Sequence, residues 1–110
     1  MKRYEPVSIA RSAMAAAPSR PAVTIVHDQD DGRLVVFRLE PGQQVATHTS
    51  TASVFMSVVA GSGFITGAEG EREASTGEVF AFAPREPHGM RTGDQQMVVA
   101  AVITPRPGAR

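Results

Sequence analysis

The sequence predicts an all-β domain of antiparallel strands preceded by a short N-terminal helix or arm. Three observations carry that expectation. Six short runs rich in β-branched and aromatic residues (AVTIVH, RLVVFRLE, VFMSVVA, GFIT, EVFAFA and MVVAAVI) recur along residues 22–103. Turn-forming clusters separate them. Helical periodicity is confined to one stretch ahead of Pro18, so residues 1–21 are read as an arm and residues 22–110 as a single β-domain.

Taken in order, SIARSAMAAA at Ser8–Ala17 has a serine able to cap, strong helix formers, and Ala10, Met14 and Ala17 at helical spacing before the Pro18 stop. DDG at 30–32 predicts a hairpin with positive φ at the glycine. EPG at 40–42, GSG at 61–63, GAEG at 67–70, TG at 76–77 and TGD at 92–94 mark the remaining turns. The chain carries no internal repeat, and PRPGAR at 105–110 reads as a loose end.

Some strands are apolar on both faces. In VFMSVVA, Val54, Met56 and Val58 share one face while Phe55 and Val59 share the other. A sheet with one wet face alternates apolar and polar residues, so a second sheet or a second subunit is expected against the other face. A homodimer is the economical expectation.

Composition narrows the function. Eleven basic residues balance eleven acidic ones, and the only basic cluster is the initial Lys2-Arg3, so no electrostatic footprint for nucleic acid is present. No cysteine occurs, which removes disulfides, thiolate catalysis and Cys-based zinc or iron–sulfur sites, and fits a cytoplasmic protein. Glu5, Pro6, Arg11 and Ser12 interrupt the N-terminal stretch, so neither a signal peptide nor a membrane span is expected. No Ser-His-Asp set, paired-carboxylate site or phosphate loop is discernible.

The glycines and histidines fall in a frame that resembles the cupin family. That family's first motif, G-x5-H-x-H followed by a glutamate and a closing glycine, matches Gly42, His48 and Gly61, while Ser50 stands at the second histidine and Val54 at the glutamate. The second motif, G-x5-P-x-G-x2-H-x3-N, begins at Gly77 and reaches His88, with Ala83, Arg85 and Thr92 at its proline, glycine and asparagine. The resemblance covers residues 33–104. It implies an antiparallel double-stranded β-helix, the RmlC-like jelly-roll barrel, with both histidines facing one cavity.

A full site of that family has three histidines and a carboxylate around a metal, and this chain matches two of the four. His48 and His88 are the candidate ligands for one divalent transition metal, whether zinc, iron, manganese, nickel or copper, and no other cofactor is expected. Strand alternation adds Met56 and Met90 to the inward list, so Ser50, Val54, Met56 and Met90 are the candidate ligand-binding residues. The two methionines fit core filling better than soft-metal ligation. His27 completes a three-histidine set only if its strand borders the mouth, and it otherwise reads as a strand-end residue. Arg38 and Arg91 are able to hold an anion, although a solvated strand face is the plainer role. Arg85 and Glu86, in PREPH, belong to the loop at the mouth.

These readings lead to a small barrel that binds a small molecule, with or without a metal on the two histidines. The alternative is a metal-dependent enzyme of dioxygenase or isomerase type. The lone tyrosine, Tyr4, is remote from both motifs and weakens a sugar-epimerase reading that the resemblance would otherwise suggest.

Overall fold

The computed structural model describes residues 1–107, so the last three residues of the expected loose tail lie outside the described residues. One helix, α1 (Pro6–Ser12), precedes eight strands: β1 (Ala22–Gln29), β2 (Gly32–Leu39), β3 (Gln44–His48), β4 (Ser53–Gly67), β5 (Gly70–Ser75), β6 (Val79–Phe82), β7 (His88–Arg91) and β8 (Met97–Thr104). Every strand pairing is antiparallel.

The pairings make two sheets that share a strand. The first runs β1-β2-β8-β4-β6 and the second β3-β7-β4-β5, with Ser53–Gly61 of β4 in the first and Ser62–Gly67 in the second. The crossing point is the GSG that the sequence marks as a turn. It is instead a bend within one long strand, next to a bulge between Val58 and Ala60. Gly61 has φ +72°, and a Cβ there would stand 1.8 Å from the Gln96 carbonyl oxygen. At Gly63 a Cβ would come within 2.6 Å of the Arg91 carbonyl oxygen. Only glycine lets β4 pass from one sheet to the other at this distance from its neighbours.

The inner faces enclose the main core of Leu39, Val54, Met56, Val58, Ile65, Phe82, Met90, Met97, Val99 and Ala101. Register explains the selection. Val54, Met56 and Val58 on β4 sit opposite Ile103, Ala101 and Val99 on β8, and directly opposed residues point to the same face.

Helix α1 begins two residues earlier and ends five residues earlier than Ser8–Ala17. Pro6 occupies the first helical turn, where its missing N–H costs nothing, and Ser8 lies inside the helix rather than at its cap. The helix stops at Ser12 because Ala13 turns extended while the Arg38 guanidinium donates to the carbonyls of Ala10 and Ala13. Met14 is consequently exposed. Gln43 continues this attachment by donating from Nε2 to the carbonyls of Pro18 and Arg20, at 3.1 and 3.2 Å.

The helix also accounts for part of the second apolar face. Ala10 packs with Val36 and Val98 on the outside of the first sheet, flanked by Ile9, Val26, Val59 and Ala60. Farther along the same outer face, Ala81, Phe55, Val102 and Leu34 form one cross-strand row that the helix does not reach. Phe55 and Val102 there are 41% and 42% exposed.

At DDG the expected hairpin forms, with Gln29 paired to Gly32, but Gly32 is absent from the glycines with positive φ and serves as the first residue of β2. No helix among the described residues is long and apolar enough to cross a membrane.

Candidate functional site

Strands β3 and β7 lie side by side, and His48, the last residue of β3, is the register partner of His88, the first residue of β7. Their rings meet at a centroid distance of 4.3 Å and an angle of 61°. Gly89 allows this approach, because a Cβ on it would stand 2.9 Å from Thr47 Oγ1 and 3.0 Å from Thr47 Cα. Sequence reasoning missed that residue, although a glycine directly after a candidate ligand is a signal for close backbone approach.

The two imidazoles are oriented in the same way. His48 Nδ1 lies 3.0 Å from the carbonyl oxygen of Ala46, and His88 Nδ1 lies 3.0 Å from that of Glu86. A carbonyl oxygen only accepts, so Nδ1–H donates in each ring and the lone pair of a neutral ring resides on Nε2. His88 is buried and packs against Phe82, ring centroids 5.2 Å apart, whereas His48 is exposed at the rim.

Both histidines line a cavity of about 50 Å³ together with Phe37, Val45, Val54, Met56, Met90 and Ile103. Val54 occupies the motif's glutamate position, so the wall there is apolar, and no charged side chain lines the cavity. Ser50 is outside this lining. Its hydroxyl accepts the Ala52 N–H at 3.1 Å and its carbonyl accepts the Arg85 N–H at 2.6 Å, so the residue ties the β3–β4 loop together.

His27 does not join the pair. It lies opposite Leu34, which is opposite Val102 on the outer face, and its Nδ1 is 3.3 Å from the Tyr4 hydroxyl. Among the described residues, no group of three or more His, Asp or Glu side chains is arranged to hold a metal.

The other charged candidates have structural partners. Arg38 binds Glu40 at 2.8 Å as well as the helix carbonyls. Arg91 makes two 2.7 Å hydrogen bonds to Glu71 and stacks over Phe64 at 4.1 Å. Hydrogen bonding from Arg91 holds the Glu71 carboxyl below the usual carboxylate range, and Glu71 raises Arg91 in return. Glu86 accepts the Ala83 N–H at 2.9 Å. Arg85, which stands at the motif's glycine, adopts the backbone conformation glycine would favour, with φ 68°.

The donor set fits a metal only in part. Both rings line one cavity, and each has its Nδ1 rather than its Nε2 on a backbone carbonyl. A catalytic zinc normally takes three protein ligands, so solvent or a bound molecule has to complete the coordination.

The family model described as a cupin domain matches residues 35–104. Among solved structures, an RmlC-like cupin protein from Desulfovibrio desulfuricans superposes with a TM-score of 0.81 at 24% identity, over 96% of this chain and 97% of that one. A double-stranded β-helix protein from Klebsiella pneumoniae gives 0.79 at 20% identity, over 92% and 90%. KdgF from a Halomonas species gives 0.77 at 20% identity, over 86% and 88%. At these identities the likeness shows the fold alone. No curated protein matches the chain.

Proposed function

The chain belongs to the cupin family, and on that premise we propose that it binds one divalent transition metal through Nε2 of His48 and Nε2 of His88, with a small ligand or water completing the coordination. The shared Nδ1-to-carbonyl hydrogen bond carries this reading, because it leaves both lone pairs available on rings that line one cavity. The metal is zinc, iron, manganese, nickel or copper. When bound, it supplies Lewis acidity at the open positions.

Size decides what enters. A cavity of about 50 Å³ is far below the roughly 300–1,000 Å³ of pockets that enclose drug-sized ligands. A small molecule therefore presents one small group to the histidines and keeps its body at the mouth. Of the two lining histidines His48 is exposed and His88 is buried, so a ligand arriving from solvent meets His48 first in this reading.

Binding is favoured over dioxygenase or isomerase chemistry by Val54. The iron site of two histidines and one carboxylate needs an anionic ligand, and an isopropyl group occupies the place where the motif has it. Metal analysis of protein purified without a histidine tag tests the reading. Near-stoichiometric metal that is lost in the double variant His48→Ala/His88→Ala is the expected result, and equal metal content in both proteins removes the assignment.

The protein acts as a homodimer in this reading, with the Ala81-Phe55-Val102-Leu34 row as the buried face. Support comes from the exposure of Phe55 and Val102 in an otherwise apolar row.

A further inference from the structure

We infer that the histidine cavity is a cuprous-ion site, in which the thioether sulfurs of Met56 and Met90 join the imidazoles of His48 and His88 as ligands. The inference rests on the proposed function for the two histidines and replaces its divalent ion by a monovalent one.

Donor number is the first support. Met56 and Met90 line the same cavity as the two histidines. They reach it from the two facing sheets. Met56 belongs to the part of β4 that pairs with β6 and β8 in the first sheet, whereas Met90 follows His88 by two residues on β7 in the second and so shares its face. With four protein donors an ion needs no solvent ligand, which suits a cavity of only about 50 Å³.

Donor chemistry is the second support. The chain has no cysteine to offer a thiolate, and no charged side chain lines the cavity, so neutral imidazoles and thioethers are the donors on hand. Thioethers are soft ligands that select Cu(I), whereas protein zinc sites are built from thiolate, imidazole and carboxylate.

Charge is the third. The cost of taking an ion out of water scales with the square of its charge, so a monovalent ion costs about a quarter as much as a divalent one of the same size. Walls that offer no anion leave that cost uncompensated, which favours the smaller charge.

Met97 shows what a methionine limited to core filling does. It is 0% exposed and packs in the same core as Met56 and Met90, yet it does not line the cavity. It is therefore the internal control.

The test titrates the full chain anaerobically with cuprous ion in ascorbate against a chromogenic Cu(I) chelator, and separately with zinc. Wild type is compared with Met56→Leu/Met90→Leu, whose leucines conserve volume and should preserve the fold, and with His48→Ala/His88→Ala. Wild type should take up one Cu(I) per chain. The leucine variant should bind it at least tenfold more weakly while its zinc affinity changes less than threefold, and the alanine variant should bind neither ion. A second measurement needs no substitution: the ε-methyl NMR signals of Met56 and Met90 should move when Cu(I) is added to wild type, and that of Met97 should stay. Cu(I) affinity within twofold of wild type in the leucine variant, an equal loss for zinc, or unmoved Met56 and Met90 signals overturns the inference. The histidine reading survives those results if wild type takes up zinc and the alanine variant does not. No uptake of either ion by wild type removes both.

Discussion

His48 and His88 each send Nδ1 to the carbonyl oxygen two residues earlier, at 3.0 Å in both cases, while their rings meet at 4.3 Å. Each imidazole is thereby oriented by its own strand end rather than by its partner. Removing one ring leaves the orientation of the other unchanged. Single alanine variants should therefore each retain weak metal binding, and the double variant should retain none, as read by zinc titration. Complete loss in either single variant would show that the second ring depends on the first.

Val54→Glu restores a carboxylate at the motif position that this chain leaves apolar. Val54 is 3% exposed, so without metal the new group is a buried acid with no assigned partner and should cost about 1–3 kcal/mol of stability. With metal the same group becomes a ligand. At one hundred times its dissociation constant, zinc adds about 2.7 kcal/mol through binding to the folded state alone. Zinc should consequently raise the unfolding temperature of Val54→Glu more than that of wild type, and equal shifts would count against a shared site.

Gly61→Ala and Gly63→Ala should be the most damaging small substitutions in the chain. Their Cβ atoms would meet carbonyl oxygens at 1.8 and 2.6 Å, and backbone cannot yield as a flexible side chain does. Urea unfolding should show losses above about 3 kcal/mol, or no folded protein. Gly77→Ala is the control, since it has φ +97° but open space around a Cβ, and should cost only about 1–2 kcal/mol.

The parts of the fold that were legible in the sequence are those with local signals. The runs that became β1, β2, β6 and β8 are dense in β-branched and aromatic residues. Strand β5, GEREAS, buries only Ala74, and β7, HGMR, is four residues long with a glycine, so neither carries a readable period. Both are strands because β4 offers them hydrogen-bonding partners, which is a tertiary cause. GSG was misread for a related reason: a bend between sheets and a turn use the same residue. At the site, glycine-framed spacing pointed to His48 and His88. Nothing local could reveal that the Ser50 hydroxyl serves the Ala52 N–H, or that the cavity is as small as about 50 Å³.

Acid should weaken the Glu71–Arg91 link between β5 and β7. Arg91 lowers the folded-state pKa of Glu71 below its unfolded value, so the contribution is present above the unfolded value and is lost as pH falls through the folded one. The pair is solvent-exposed, which keeps the effect small. Glu71→Gln should lower the unfolding temperature at neutral pH and match wild type in acid below the carboxylate range. A difference that persists unchanged in acid would locate the effect in packing rather than charge.

The dimer reading turns on a single row of side chains. Ala81, Phe55, Val102 and Leu34 lie on neighbouring strands β6, β4, β8 and β2 and point to one face, so a charge placed in the row has no way to turn inward. The inner neighbours Val54 and Met56 remain buried, and Phe55 is already 41% exposed, so Phe55→Asp should cost the monomer little. At a two-fold axis the same substitution is introduced on both copies, where the carboxylates would have to be desolvated against apolar surface. Light scattering at micromolar concentration should give twice the 11.6 kDa chain mass for wild type and the chain mass for Phe55→Asp. A wild-type protein that is monomeric under those conditions removes the dimer, and a dimer that survives Phe55→Asp with unchanged affinity moves its interface to another face.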